Sequence, residues 1–204
     1  KTYRLLRQYG LFEPLFPLLT PYFTEYEDSM TEKMILRALT STDERVADKL
    51  PINPAFLFAT FFWYPLRERV EVLKNEGGLN NYDAYALASN DGLEQLCKSL
   101  AVPRRHTAVI REIWLLQLQF LKRTPKSVQR AIEQAKFRAG FDLLVMRAEI
   151  EGGEAVELAA WWHEYQFSNE SQRQDLVKEL PSQPKKRKYH RRKRHHSAKK
   201  VSHE

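Results

Sequence analysis

The chain has 204 residues, 33 of them Lys or Arg and 26 Asp or Glu, for a formal net charge of +7. Its 43% hydrophobic and 12% aromatic content excludes a wholly disordered chain, and the single Cys97 excludes an intramolecular disulfide or a cysteine-built zinc cluster and suits a reducing compartment. Only seven glycines are present, mostly at predicted helix ends, which argues against phosphate-cradling Gly-rich loops and many-stranded β folds.

The body reads as one helix after another. Thr2–Tyr9 is the end of a helix stopped by Gly10, and its abrupt start at Lys1 rather than Met leads us to expect a longer parent. Pro14, Pro17 and Pro21, set among aromatics and leucines, predict a buried irregular turn with short helical pieces. Asp28 or Ser29 caps a helix whose Met30, Met34, Ile35 and Leu39 draw one apolar stripe, with a further turn after Thr42. Asn53-Pro54 is a cap followed by proline at the first helical position. The segment it opens, PAFLFATFFWYPLRERVEVLKNE, is apolar all round for three turns and requires central burial. Pro65 is expected to kink or split it and Gly77-Gly78 to end it.

Tyr82–Leu100 is helical in pattern, with a break expected near Asn90-Asp91-Gly92. Pro103 opens a long helix to about Arg123, and Thr124-Pro125 another to about Ala135. Phe137–Ile150 is closed by Gly152-Gly153, and Glu154–Phe167 and a weaker Gln172–Leu180 complete the series. No segment alternates with period two, and no hairpin signal sits between β-branched runs. The fold class is therefore all-α, a multi-helix globular body over 1–180 with 1–100 and 101–180 as candidate subdomains. No stretch of 18 apolar residues occurs and no signal peptide opens the chain, so no transmembrane segment and a cytoplasmic location are expected.

Charge is spread unevenly. Residues 185–204 hold ten basic side chains and one acid, including Lys185, Lys186, Arg187, Arg191, Arg192, Lys193 and Arg194, with almost nothing apolar. Such a segment buries too little surface to offset its ordering entropy, so 181–204 is expected to be a disordered polybasic tail. Within the body, residues 101–138 carry nine basic and two acidic groups, whereas 139–184 carry three and nine. The basic block is Arg104, Arg105, Arg111, Lys122, Arg123, Lys126, Arg130, Lys136 and Arg138. On a helix opening at Pro103, Arg104, Arg111 and Lys122 share a face, and the next helix continues the stripe through Lys126 and Arg130. Phosphates along a strand need cations at such spacing. The competing explanation is that these side chains neutralise the acidic 139–184 segment.

Catalytic patterns are missing. Only His106 and His163 lie in the predicted body, neither in a nucleophile–base setting, and both read as ordinary surface or core residues. There is no His-Glu-x-x-His, no Asp-x-Asp and no Gly-Ser, so a two-metal phosphoryl-transfer pair cannot be assembled in its common sequence form. Asp142, Glu149 and Glu151 read as solvated charges. The aromatics Phe61, Phe62, Trp63, Tyr64, Trp114, Phe137, Phe141, Trp161, Trp162 and Tyr165 fall on apolar stripes and read as core. Because Trp161 and Trp162 are adjacent, one of them is left partly exposed as a candidate for stacking on a base.

GLFEPLFP (10–17), NPAFLFATFFWYPL (53–66), PRRHTAVIREIWLLQLQ (103–119), KFRAGFDLLVMRAE (136–149) and WWHEYQ (161–166) occur in this order ahead of a Lys/Arg-rich ending. Together they resemble the C-terminal half of the bacterial poly(A) polymerase family. The related tRNA nucleotidyltransferases share the helical architecture but less of the Arg-rich block and tail. The resemblance implies a parent polynucleotide adenylyltransferase that adds AMP from ATP to RNA 3′ ends, with ATP and Mg held on a head domain whose motifs have no counterpart here. No cofactor is expected in this segment, and no catalytic or ATP-binding position transfers.

What the resemblance does carry over is an RNA-binding body, with Arg104, Arg105 and the basic stretch to Arg138 matching the family's arginine-rich region. The expected partners are single-stranded RNA 3′ ends, of mRNA or regulatory RNA, and RNA-decay proteins, with the tail as a non-specific tether. Two alternatives stand beside this. One is a non-catalytic helical scaffold or nucleic-acid-binding module whose acidic 139–184 helices hold a partner, and the other is the C-terminal region of a tRNA nucleotidyltransferase.

Overall fold

The computed structural model describes residues 2–100 and 102–180, so the tail residues named above, Lys185 to Arg194 among them, lie outside the described part. Among the described residues, eleven α-helices and one 3-10 helix follow one another with no strand, so the chain is all-α as its periodicity requires. After α1 (Thr2–Gln8), Gly10 takes φ +62° and the Leu11 N–H reaches back to the Leu6 carbonyl at 2.8 Å. α2 (Phe12–Leu15) and a 3-10 turn (Pro17–Tyr22) are the short pieces that three prolines permit. Ser29 caps α3 (Met30–Ala47), accepting the Glu32 N–H at 3.1 Å, and α3 runs two turns past the apolar stripe that ends at Leu39.

Asn53 caps α4 (Pro54–Phe61), and the chain breaks at Phe62 before α5 (Trp63–Asn75). Pro65 explains the break, since it lacks the N–H that would reach the Phe61 carbonyl and its ring crowds that carbonyl. α6 (Asn81–Leu100) corrects an expectation, because it runs unbroken through Asn90-Asp91-Gly92. An internal glycine costs a helix only about 1 kcal/mol. Here Arg69 holds Asp91 at 3.0 Å and Arg111 holds Asn90 at 2.7 Å, tying the polar triplet to its neighbours. α7 (Arg104–Phe120), α8 (Pro125–Ile132), α9 (Phe137–Glu151), α10 (Gly153–Phe167) and α11 (Glu170–Lys178) complete the chain.

Two apolar cores meet on α7 and α9. The first packs α1–α6 around Met34, Ile35, Trp63 and Trp114, and takes Ile110 and Ile113 from α7 with Leu143 and Met146 from α9. The second packs Phe120, Val128, Phe137, Phe141 and Trp162, and takes Leu116 and Leu144 from the same two helices. α7 and α9 touch closely at Gly140, where an added Cβ would lie 2.9 Å from the Leu116 Cβ. Gln117, buried beside this contact, donates to the Gly140 carbonyl at 2.8 Å. Eight of the ten aromatics assigned to the core are buried, with Tyr64 and Trp161 half-buried.

The three carboxylates read as solvated are all engaged. Glu149 accepts from Arg37 at 3.1 Å, Asp142 pairs with Arg138 at 2.9 Å, and Glu151 sits in a partly buried network with Arg147 and Trp63. Arg37 and Trp63 come from other helices, which helical periodicity does not place, whereas Arg138 and Arg147 stand one turn back on α9, where i,i+4 spacing does place them. No helix of the described residues is long and apolar enough to cross a membrane.

Candidate nucleic-acid interface

Eight of the nine block cations fall into two groups, at the first turn of α7 and beyond its last, with Arg111 near the middle of a helix 17 residues long, about 25 Å at 1.5 Å per residue. Arg104 and Arg105 occupy its exposed first turn, with Arg111 two turns on. α7 stops at Phe120, so Lys122 lies in the loop beyond it and not on its face. The half-buried Leu115 and Leu118 fill the stripe between Arg111 and Lys122. Around the α7–α8–α9 corner sit Lys122, Arg123, Lys126, Arg130, Lys136 and Arg138. α8 is fixed there by Thr124, whose side chain accepts the Ser127 N–H, and by Val128 and Ala131, which enter the second core. That packing forces Lys126 and Arg130 outward, where both are exposed.

The α7 N-terminus is a favourable place for an anion. Pro103 supplies no side-chain cap, so the first backbone N–H groups of α7 keep their donors free of it. The positive end of the helix dipole lies there too. Two arginines in this turn oppose the dipole and weaken the helix, so helix stability does not account for them.

Side-chain partners set the arginines of this block apart from those of the rest of the body, where Lys33 and Lys49 also make no ion pair among the described residues. Each of the other eight described arginines has a partner. Arg4, Arg7, Arg37, Arg67, Arg69 and Arg147 pair with carboxylates, while Arg45 and Arg173 donate to backbone carbonyls. In the block, Arg138 pairs with Asp142 and Arg111 donates to Asn90. Arg104, Arg105, Lys122, Arg123, Lys126, Arg130 and Lys136 make no ion pair among the described residues. The acidic 139–184 segment therefore does not neutralise them. Burial raises the pKa of Asp142 against the opposing pull of Arg138 and Arg45.

Trp161, the partly exposed ring of its pair, already has neighbours. Tyr165 stacks on it at 5.3 Å with 22° between the planes, and the Arg123 guanidinium lies 5.5 Å from its centre. A base would compete with Arg123 for this ring. Position in sequence also hides a third grouping. Lys136 and Arg138 share a groove of about 430 Å³ with Arg37 and Arg45 of α3. The only signal for it is that residues 37 and 45 lie on one face of α3.

Residues 77–196 match the family described as polymerase A arginine-rich C-terminus, which takes in the whole basic block. A protein named Poly(A) polymerase I from Haemophilus influenzae is 71% identical over 197 residues, covering 95% of this chain and 44% of that protein. Proteins of the same name from Salmonella typhi and Escherichia coli O157:H7 are 47% and 46% identical over 90% and 95% of the chain. The chain thus spans less than half the length of the curated relatives it matches, 40–44%. With residues 77–196, more than half of its length, matched to that family's description, the chain belongs to the polymerase A arginine-rich C-terminus family.

Proposed function

We propose that this chain is the RNA-holding part of a bacterial poly(A) polymerase. The cations at the start of α7 and around the α7–α8–α9 corner contact phosphates of single-stranded RNA near its 3′ end. Lys185, Lys186, Arg187, Arg191, Arg192, Lys193 and Arg194 add a sequence-independent tether. The parent enzyme works in the cytoplasm and transfers AMP from ATP to that end with Mg, marking mRNA or regulatory RNA for the proteins of RNA decay. Among the described residues no three His, Cys, Asp or Glu side chains converge, and no step of nucleotide transfer is assigned to them.

The observation that carries this reading is the selective lack of partners. Seven block cations make no ion pair in a body whose other arginines are all held. Fluorescence anisotropy with a labelled unstructured RNA tests it in the full chain. Each lost phosphate contact on a single strand lowers the slope of log affinity against log salt by about 0.7, so K122E/K126E/R130E should flatten it by about 2. An unchanged slope overturns the assignment of the corner and favours the scaffold alternative. Preference for tRNA over unstructured RNA in competition would favour the tRNA nucleotidyltransferase alternative.

A further inference from the structure

The groove between α3 and α9 is also lined by the Pro51–Asn53 loop and the start of α4. Phe56, Leu57, Val145 and Met146 give it an apolar lining, and Arg37, Arg45, Lys136 and Arg138 set four cations around it against the single acid Asp142. Two of these cations are already matched, Arg37 by Glu149 and Arg138 by Asp142. The other two have no carboxylate partner among the described residues. Arg45 is nevertheless held, since its Nε and Nη2 donate to the Pro51 carbonyl at 3.2 and 2.8 Å. That leaves three of its five N–H donors for an anion.

We propose that this groove seats one nucleotide of a bound single-stranded RNA, with the phosphodiester on Arg45 and Lys136 and the base against Phe56. This rests on the RNA-holding reading above and adds to it a place for a base. An apolar slot alone would accept many ligands, but cations on both of its walls select an anion with an apolar part. Its volume of about 430 Å³ lies at the small end of the roughly 300–1,000 Å³ typical of small-molecule sites, room for one nucleotide and not for a duplex. Lys136 and Arg138 belong both to the groove and to the α7–α8–α9 corner, so a strand tracking the corner cations runs into it.

Photo-crosslinking of the full chain to RNA carrying 4-thiouridine, followed by peptide mapping, tests the seat. Crosslinks to the segments 51–57 or 135–146 are expected. R45E should weaken RNA binding several-fold and flatten the salt slope by about 0.7 or more. A135W, a bulky side chain at an exposed position lining the groove, should abolish those crosslinks without changing the melting temperature. Crosslinks confined to 104–130, with R45E and A135W binding as the wild type does, overturn the seat while leaving the RNA-holding reading intact. No binding and no crosslink anywhere at low salt overturns both.

Discussion

Arg147 and Glu151 lie one turn apart on α9 and meet through two parallel hydrogen bonds, Nε to Oε1 and Nη2 to Oε2, each 3.0 Å. The third guanidinium nitrogen, Nη1, reaches Gln117 Oε1 at 3.0 Å, and the Trp63 ring lies 4.7 Å from the guanidinium. Trp63 Nε1 donates to the same Glu151 Oε1 at 3.4 Å. The pair therefore joins α5, α7 and α9 where the two apolar cores meet.

Removing Arg147 leaves Glu151 in a site only partly open to water, with Arg67 at 3.9 Å as its remaining cation, at a cost of about 1–3 kcal/mol. R147A should lower unfolding stability by that order in urea titration. The volume-matched double variant R147M/E151M should lose much less, because no charge is left uncompensated. Equal losses for the two variants would show that packing under Trp63, and not the charge, sets the cost.

The same pair makes stability depend on pH. Burial alone would raise the Glu151 pKa, but the hydrogen bonds and charge of Arg147 outweigh it and hold the carboxyl below its ordinary range. A folded-state pKa below the unfolded value, about 4.3 for Glu, adds stability that is complete above the unfolded value and is lost as pH falls through the folded one. Wild type should therefore lose stability on acidification below about pH 4 more steeply than E151Q, which has no such proton to gain. Parallel acid limbs in the two proteins would contradict the assignment.

These couplings mark the boundary of what the sequence shows by itself. Asn53-Pro54 and Thr124-Pro125 announce α4 and α8 because a cap and a first-turn proline act on their own backbone. Gly92 misleads because the partners that keep α6 whole, Arg69 and Arg111, arrive from other helices. Glu151 reads as a surface charge because Trp63 and Gln117 are far away in the chain. The basic block is legible as composition, but its division between the two ends of α7 follows from where that helix stops. The meeting of Arg45 with Lys136 follows only from how α3 packs on α9.

Gly140 allows the α7–α9 contact. By helix propensity alone, G140A should stabilise α9 by about 1 kcal/mol. In place, the new methyl would sit 2.7 Å from Leu116 Cδ1 and 2.9 Å from its Cβ, too close for a flexible tip to absorb. Overpacking of this kind costs about 1–3 kcal/mol, so G140A should lower the melting temperature. Adding L116A should recover part of the loss, and a stabilising G140A would show that the two helices separate without penalty.

Trp161 offers a spectroscopic check. Trp63, Trp114 and Trp162 are buried to 1% exposure or less, whereas Trp161 is half-buried at the protein surface. Collisional quenching by acrylamide should act mainly on Trp161, and W161F should remove most of it. R123A uncovers that ring and should increase quenching. Unchanged quenching in R123A would mean that the guanidinium does not shield it.

Arg104 and Arg105 give the prediction whose sign is least intuitive. Both are exposed in the first turn of α7, at the positive end of its dipole and without carboxylate partners. A cation there opposes the dipole, while an acid would be favoured by about 0.3–1 kcal/mol per residue at low ionic strength. R104E/R105E should therefore raise the melting temperature slightly while weakening RNA binding. The held arginines should behave in the opposite way. Arg7 packs 3.9 Å from the centre of the Phe23 ring and faces the fully buried Glu32, so R7A should destabilise the fold by leaving that carboxylate without its cation. If R104E/R105E melts lower than wild type, these two arginines serve the fold. If it melts higher yet binds RNA as tightly as before, the α7 end is not where RNA is held.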